Sequence, residues 1–158
     1  LRDEARRGCF VAEITDKDLD DLFPVIALLE GRAAHEATHK ASGADVAALE
    51  LLHQRLQQCA AEGRITDYYE ANYAIHEADH PWLAQVIGDL RKIRRLARHQ
   101  TLHAPGRLQQ SLAEHLAVFA ALKARDSEAA EEAMRTHLLR QRDALRDVAR
   151  YLLSRLTP

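Results

Sequence analysis

The 158-residue chain is poor in the residues that break or cross-link helices. It has six glycines, four prolines and two cysteines, and aromatic side chains are 5% of the total. Cys9 and Cys59 have no CxxC spacing, so they read as free thiols in a reducing compartment rather than a disulfide framework. β-Branched residues are sparse while alanine, leucine, arginine and glutamate dominate, which argues for an all-helical domain. No apolar run approaches the roughly 20 residues of a membrane span, and no signal-peptide pattern is present. The expected location is cytoplasmic, with no membrane partner. Formal net charge is only −2, so a large basic surface for nucleic acid is not expected from this segment.

What the chain does contain is ordinary for a soluble domain: 47% apolar and 29% charged residues, in a length that buries one substantial core. Residues 1–14, LRDEARRGCFVAEI, lose helical periodicity after Arg7 and read as a turn leading into a short strand. Thr15 and Asp18 have capping-box spacing and open a helix with the stripe Leu22, Val25, Ile26, Leu29, Ala33 and Ala37. Pro24 within it is expected to end a turn or kink the helix. Ser42-Gly43 breaks the pattern. A second helix covers Ala44 to Ala61 on Val46, Leu49, Leu52, Leu56 and Cys59, and Glu62-Gly63 ends it. Thr66 caps a third, with Tyr68, Ala71, Ile75 and Ala78 inward. Pro81 opens a fourth, Trp82 to Arg98, rich in Arg91, Lys92, Arg94, Arg95 and Arg98. After a loop with Pro105-Gly106 as its turn, a fifth takes Leu108 to Ala124. Ser127 caps a sixth that runs toward Leu156. The predicted architecture is an antiparallel bundle of about six helices.

Two of these helices carry a histidine in the middle of an apolar stripe. His115 lies among Leu112, Leu116, Phe119 and Leu122, and His137 among Ala130, Ala133, Met134, Gln141 and Leu145. Asn72 and His76 stand one turn apart on the third helix, close enough to bind one ion. A buried imidazole needs partners, since an unmatched polar group costs about 1–3 kcal/mol. Hydrogen bonds or a metal supply them, and the residues alone leave both readings open. Imidazole suits zinc, nickel, copper and iron. His35 and His39 share i, i+4 spacing but lie off the first helix's stripe and read as solvated, and His53, His80, His99 and His103 have no comparable geometry. Glu114 and Glu77 flank candidate ligands and read either as partners that orient an imidazole or, more simply, as surface residues. The arginines of the fourth helix read as a solvated face or as forks for an anionic ligand.

The segments TDKDLDDLFPVIALLEGRAAHEA, ANYAIHEA and AEHLAVFAALKARDSEAAEEAMRTHL together resemble the ligand-binding FCD domain of GntR-type bacterial transcription regulators, FadR subfamily. The family pattern of Asp or Asn, x3, His, then Glu-His, then Met-x2-His-Leu falls on Asn72, His76, His115 and His137, over roughly residues 14–155. The resemblance implies a helical domain, residues 15–158, that binds a divalent metal through those four side chains. Zinc is the expected metal, with nickel or manganese as alternatives. It implies a small organic acid as effector beside the metal, and a homodimer; Arg94, Arg95 and Arg98, from the basic fourth helix, are the expected contacts for that acid. Residues 1–14 then resemble the wing strand and linker of a winged helix-turn-helix domain, through which operator DNA would be held.

Three positions depart from the family pattern. Asn72 stands where Asp is more usual, so the donors carry no charge and an anionic effector is expected to complete them. Ile26 stands where an arginine is common. HEADHPWL is shorter than the usual stretch. Two rival classes remain on the sequence: a metal-dependent hydrolytic enzyme on a helical bundle, and a plain helical interaction domain.

Overall fold

A computed structural model of the chain describes residues 15–79 and 101–156. Five α-helices and one short 3-10 turn are formed there. In chain order they are α1 (Asp16–Lys40), α2 (Gly43–Ala61), α3 (Ile65–Asp79), the turn Thr101–His103, α4 (Arg107–Lys123) and α5 (Ser127–Leu156). No strand occurs among the described residues, so the all-α antiparallel bundle is as expected. The strand expected within residues 1–14 and the basic helix expected from Trp82 to Arg98 lie outside the described residues.

Several helix ends are fixed by local chemistry. The Thr15 hydroxyl accepts from the Asp18 amide while the Asp18 carboxylate accepts from the Thr15 amide. Ser42 and Asp45 repeat this capping box at α2, so Ser42-Gly43 is an initiator as well as a break. At the end of α2, Gly63 has φ +67. Its amide bonds the Ala60 carbonyl, and that of Arg64 bonds the Cys59 carbonyl. This is the paired closure that a left-handed residue after a helix permits. The same closure follows α4, with Arg125 at φ 59 and bonds to Leu122 and Ala121. The Arg125 guanidinium then donates to the Thr38 carbonyl at 2.6 Å, tying this turn to the end of α1. Asp126, rather than Ser127, caps α5, its carboxylate accepting from the Ala129 amide.

The long pairing is α1 along α5, with α4 packed on α5 and α2 packed on α3 and α4. The α1 stripe is rotated from its expected position. Leu19, Phe23, Ile26, Ala27, Ala33, Ala34 and Ala37 are buried, whereas Val25 and Leu28 are 51% and 55% exposed. Pro24 lies on the exposed side and α1 continues through it as one element. The missing amide costs one backbone bond, which the long α1–α5 contact outweighs. Ile26 packs with Ala27, Ala34, Val118, Met134 and Leu138. A second cluster joins Leu56, Cys59, Tyr68, Ile75, Phe119 and Leu122 from α2, α3 and α4. Cys59 is a free, buried thiol.

Where α1 crosses α5, Gly31 lets the backbones approach. A Cβ there would sit 2.6 Å from Arg135 Cγ and 3.2 Å from the Glu131 carbonyl. Gly31→Leu should therefore overpack the contact, costing about 1–3 kcal/mol and lowering the melting temperature by several degrees. Gly43→Ala, which meets nothing within 4 Å, should leave it nearly unchanged. Equal melting temperatures for Gly31→Leu and the parent protein would contradict this account of the crossing.

Candidate metal centre

Three helices aim a histidine at one place in the bundle. His76 from α3, His115 from α4 and His137 from α5 are each 1% exposed. Their candidate donor nitrogens all lie within 4.8 Å of one another. The ring centroids are 5.4 Å apart for His76 and His115, 5.9 Å for His76 and His137, and 4.4 Å for His115 and His137. Three nitrogens sharing one ion at about 2.1 Å each are about 3.4–3.6 Å apart, so a closure of little more than about an ångström brings the set into range. Asn72 is 1% exposed and one turn before His76, on the same side of α3. The donor set of three imidazoles and an amide oxygen fits a divalent transition metal. Arg94, Arg95 and Arg98 lie outside the described residues.

The convergence follows from where each residue sits on its helix. Tyr68, Ala71, Asn72, Ile75 and His76 form the buried side of α3. Ser111, His115, Val118, Phe119 and Leu122 lie on that of α4, and Ala130, Met134, His137, Leu138 and Gln141 on that of α5. Apolar neighbours on each helix bury themselves and carry the imidazole inward with them.

Behind His137 stands an ion network. Glu114 is buried rather than at the surface, and its Oε2 lies 2.7 Å from His137 Nδ1. Arg107, also buried, donates to both oxygens of Glu114 at 3.1 Å each, and Arg140 Nη1 lies 3.7 Å from Oε1. Burial alone pushes the Glu114 carboxyl up. The hydrogen bonds and charges of His137 and Arg107 together outweigh it and hold the group below the usual carboxylate range. A carboxylate that accepts the Nδ1 proton leaves Nε2 as the donor to an ion. On its other side Glu114 lines a groove of about 340 Å³ between α4 and α5, with Ala117, Ala133, Thr136 and Arg140.

The other histidines sort differently. His53 is buried. It stacks on Phe119 at 4.3 Å, and its Nδ1–H donates to the Leu49 carbonyl at 2.7 Å. Burial pushes its pKa down, against the opposing pull of the Leu49 and His115 carbonyls. His35 is half-buried, its Nδ1 3.9 Å from Glu36 Oε1, while His39 and His103 are exposed. Sequence reasoning missed Arg107. Its signal was a charged residue on the inner face of α4, two turns before Glu114. It also missed Glu30, which is 1% exposed with Oε2 3.5 Å from His76 Nδ1.

Residues 21–140 match the FCD domain, and the chain belongs to the FCD domain family. Among solved structures it is similar to E. coli McbR/YncC, with a TM-score of 0.78 at 24% identity, over 87% of this chain and 72% of that one. This likeness supports the fold. No curated protein sequence matches significantly.

The Arg107–Glu114 pair makes a direct prediction. Glu114→Ala leaves Arg107 buried without its carboxylate, and should cost about 3–5 kcal/mol in urea denaturation of the metal-free protein. A loss below about 1 kcal/mol, the range of exposed pairs, would show that the network is solvated.

Proposed function

We propose that this chain is the metal- and effector-binding domain of a GntR-type transcription regulator of the FadR subfamily. The observation that carries the reading is the convergence of His76, His115 and His137 in the interior of an FCD-family bundle. The ion would be held by these imidazoles and Asn72, with zinc favoured and nickel or manganese compatible with the same donors. Bound there, it supplies a Lewis-acidic centre for a carboxylate. Because the four donors carry no charge, a small organic acid is the effector that completes them best. Arg94, Arg95 and Arg98 are the proposed further contacts.

Regulation follows by population shift. An effector that binds one arrangement of a homodimer better than another changes the fraction competent for operator DNA. The DNA would be held by an N-terminal winged helix-turn-helix domain, of which residues 1–14 are the proposed wing strand and linker. No helix among the described residues is long and apolar enough to cross a membrane, in keeping with the proposed cytoplasmic role. Family membership favours a regulatory over a catalytic use of the site.

Zinc at about a hundredfold excess over its Kd should add about 2.7 kcal/mol by mass action and raise the melting temperature by several degrees. A chelator should reverse the gain, and His137→Ala should abolish it. A melting temperature unmoved by zinc and by chelator would leave the histidines as packing residues. In calorimetry on the zinc-loaded protein, a small carboxylic acid should bind more tightly than its uncharged amide. Equal affinities would count against an anionic effector.

A further inference from the structure

The four donors proposed above are uncharged, and each is about 1% exposed. A divalent cation seated among them would bring two positive charges into the interior, where charge is tolerated only when it is matched. Glu114 supplies a carboxylate against His137, but it also serves Arg107 and Arg140. A second buried carboxylate approaches from another helix. Glu30 belongs to α1, which carries none of the four donors, and it meets His76 through Oε2 at 3.5 Å from Nδ1.

Its place on α1 is central. With about 100° per residue, Glu30 falls in the middle of the buried arc formed by Phe23, Ile26, Ala27, Ala33, Ala34 and Ala37. A carboxylate in the middle of an apolar arc is costly to bury unless its charge is matched. The atoms that cluster within 4.8 Å are those of the three imidazoles, so Glu30 stands one layer further out. From there it faces His76 much as Glu114 faces His137.

We propose that Glu30 is a positioning residue of the metal centre. It holds His76 through Nδ1 so that Nε2 points to the ion, and it supplies part of the negative charge that the donors lack. The inference rests on the reading of the three histidines as a metal site. At 3.5 Å the pair is in ion-pair range and longer than a formed N–H···O bond. A cation on Nε2 makes Nδ1–H a stronger donor, so the distance should shorten on loading. Two of the three imidazoles are then braced from behind by carboxylates on different helices, which is how ligand orientation and basicity are set around many protein-bound metals.

The test is calorimetric titration of the purified protein with zinc alone, comparing the parent, Glu30→Gln and His137→Ala. Glu30→Gln keeps the shape and removes the charge. It should weaken zinc binding about 10–100-fold while its metal-free melting temperature does not fall. Nitrogen-15 spectra of the histidine rings should show a downfield Nδ1–H of His76 on zinc loading, and Glu30→Gln should lose it. If Glu30→Gln binds zinc within twofold of the parent while His137→Ala fails to bind, the Glu30 role is overturned and the metal centre stands. Weaker binding that appears only together with a lowered metal-free melting temperature also overturns the role. If the parent itself does not bind zinc, the metal centre fails and the inference fails with it.

Discussion

The structure depends on holding imidazoles, carboxylates and a guanidinium together inside a small helical bundle. Water would solvate each of these groups better than a hydrocarbon core does. Their burial is sustained by direct pairing, as between Arg107, Glu114 and His137, and by apolar neighbours on the same helix faces. Pairs of this kind lose their value when a partner moves by an ångström. The helices that carry them must therefore be fixed in rotation and height. The capping boxes at Thr15 and Ser42 and the left-handed closures at Gly63 and Arg125 set the heights. The close crossing at Gly31 and the Arg125–Thr38 contact lock α1 to the α4–α5 hairpin.

How much of this was legible in the sequence varied with the kind of signal. Capping residues and helix-breaking pairs are local, and they placed the described helices to within a residue or two. A polar residue in the middle of an apolar stripe is also a local pattern, and it drew attention to His115 and His137. Glu30 carries the same signal, but the large residues Val25 and Leu29 point the apparent α1 stripe away from it. The true arc runs through Phe23, Ala27 and Ala34. Alanines fill part of the buried arc while Val25 and Leu28 face outward, so hydrophobicity alone misjudged the rotation. His53 was missed in a similar way, since its burial depends on stacking against Phe119 from another helix. The pairing of Arg107 with Glu114 and His137 needs three dimensions, because no propensity couples positions 107 and 137.

The arrangement also bears on how a signal would leave the site. The donors lie on α3, α4 and α5. The carboxylate facing His76 lies on α1, and α1 packs chiefly along α5 rather than α3. A ligand that draws His76 and Glu30 together would act between α1 and α3, which among the described residues touch less than α1 and α5 do. The heavier α1–α5 contact would then move as a unit, in keeping with the population shift proposed above.

The central claim is that residues 76, 115 and 137 share one cation. X-ray absorption at the zinc edge of the loaded protein tests it directly. The account predicts imidazole scattering from three histidines with nitrogen and oxygen donors at about 2.0–2.1 Å, falling to two histidines in His115→Ala. A sulfur shell at about 2.3 Å, or a spectrum without imidazole scattering, would contradict it.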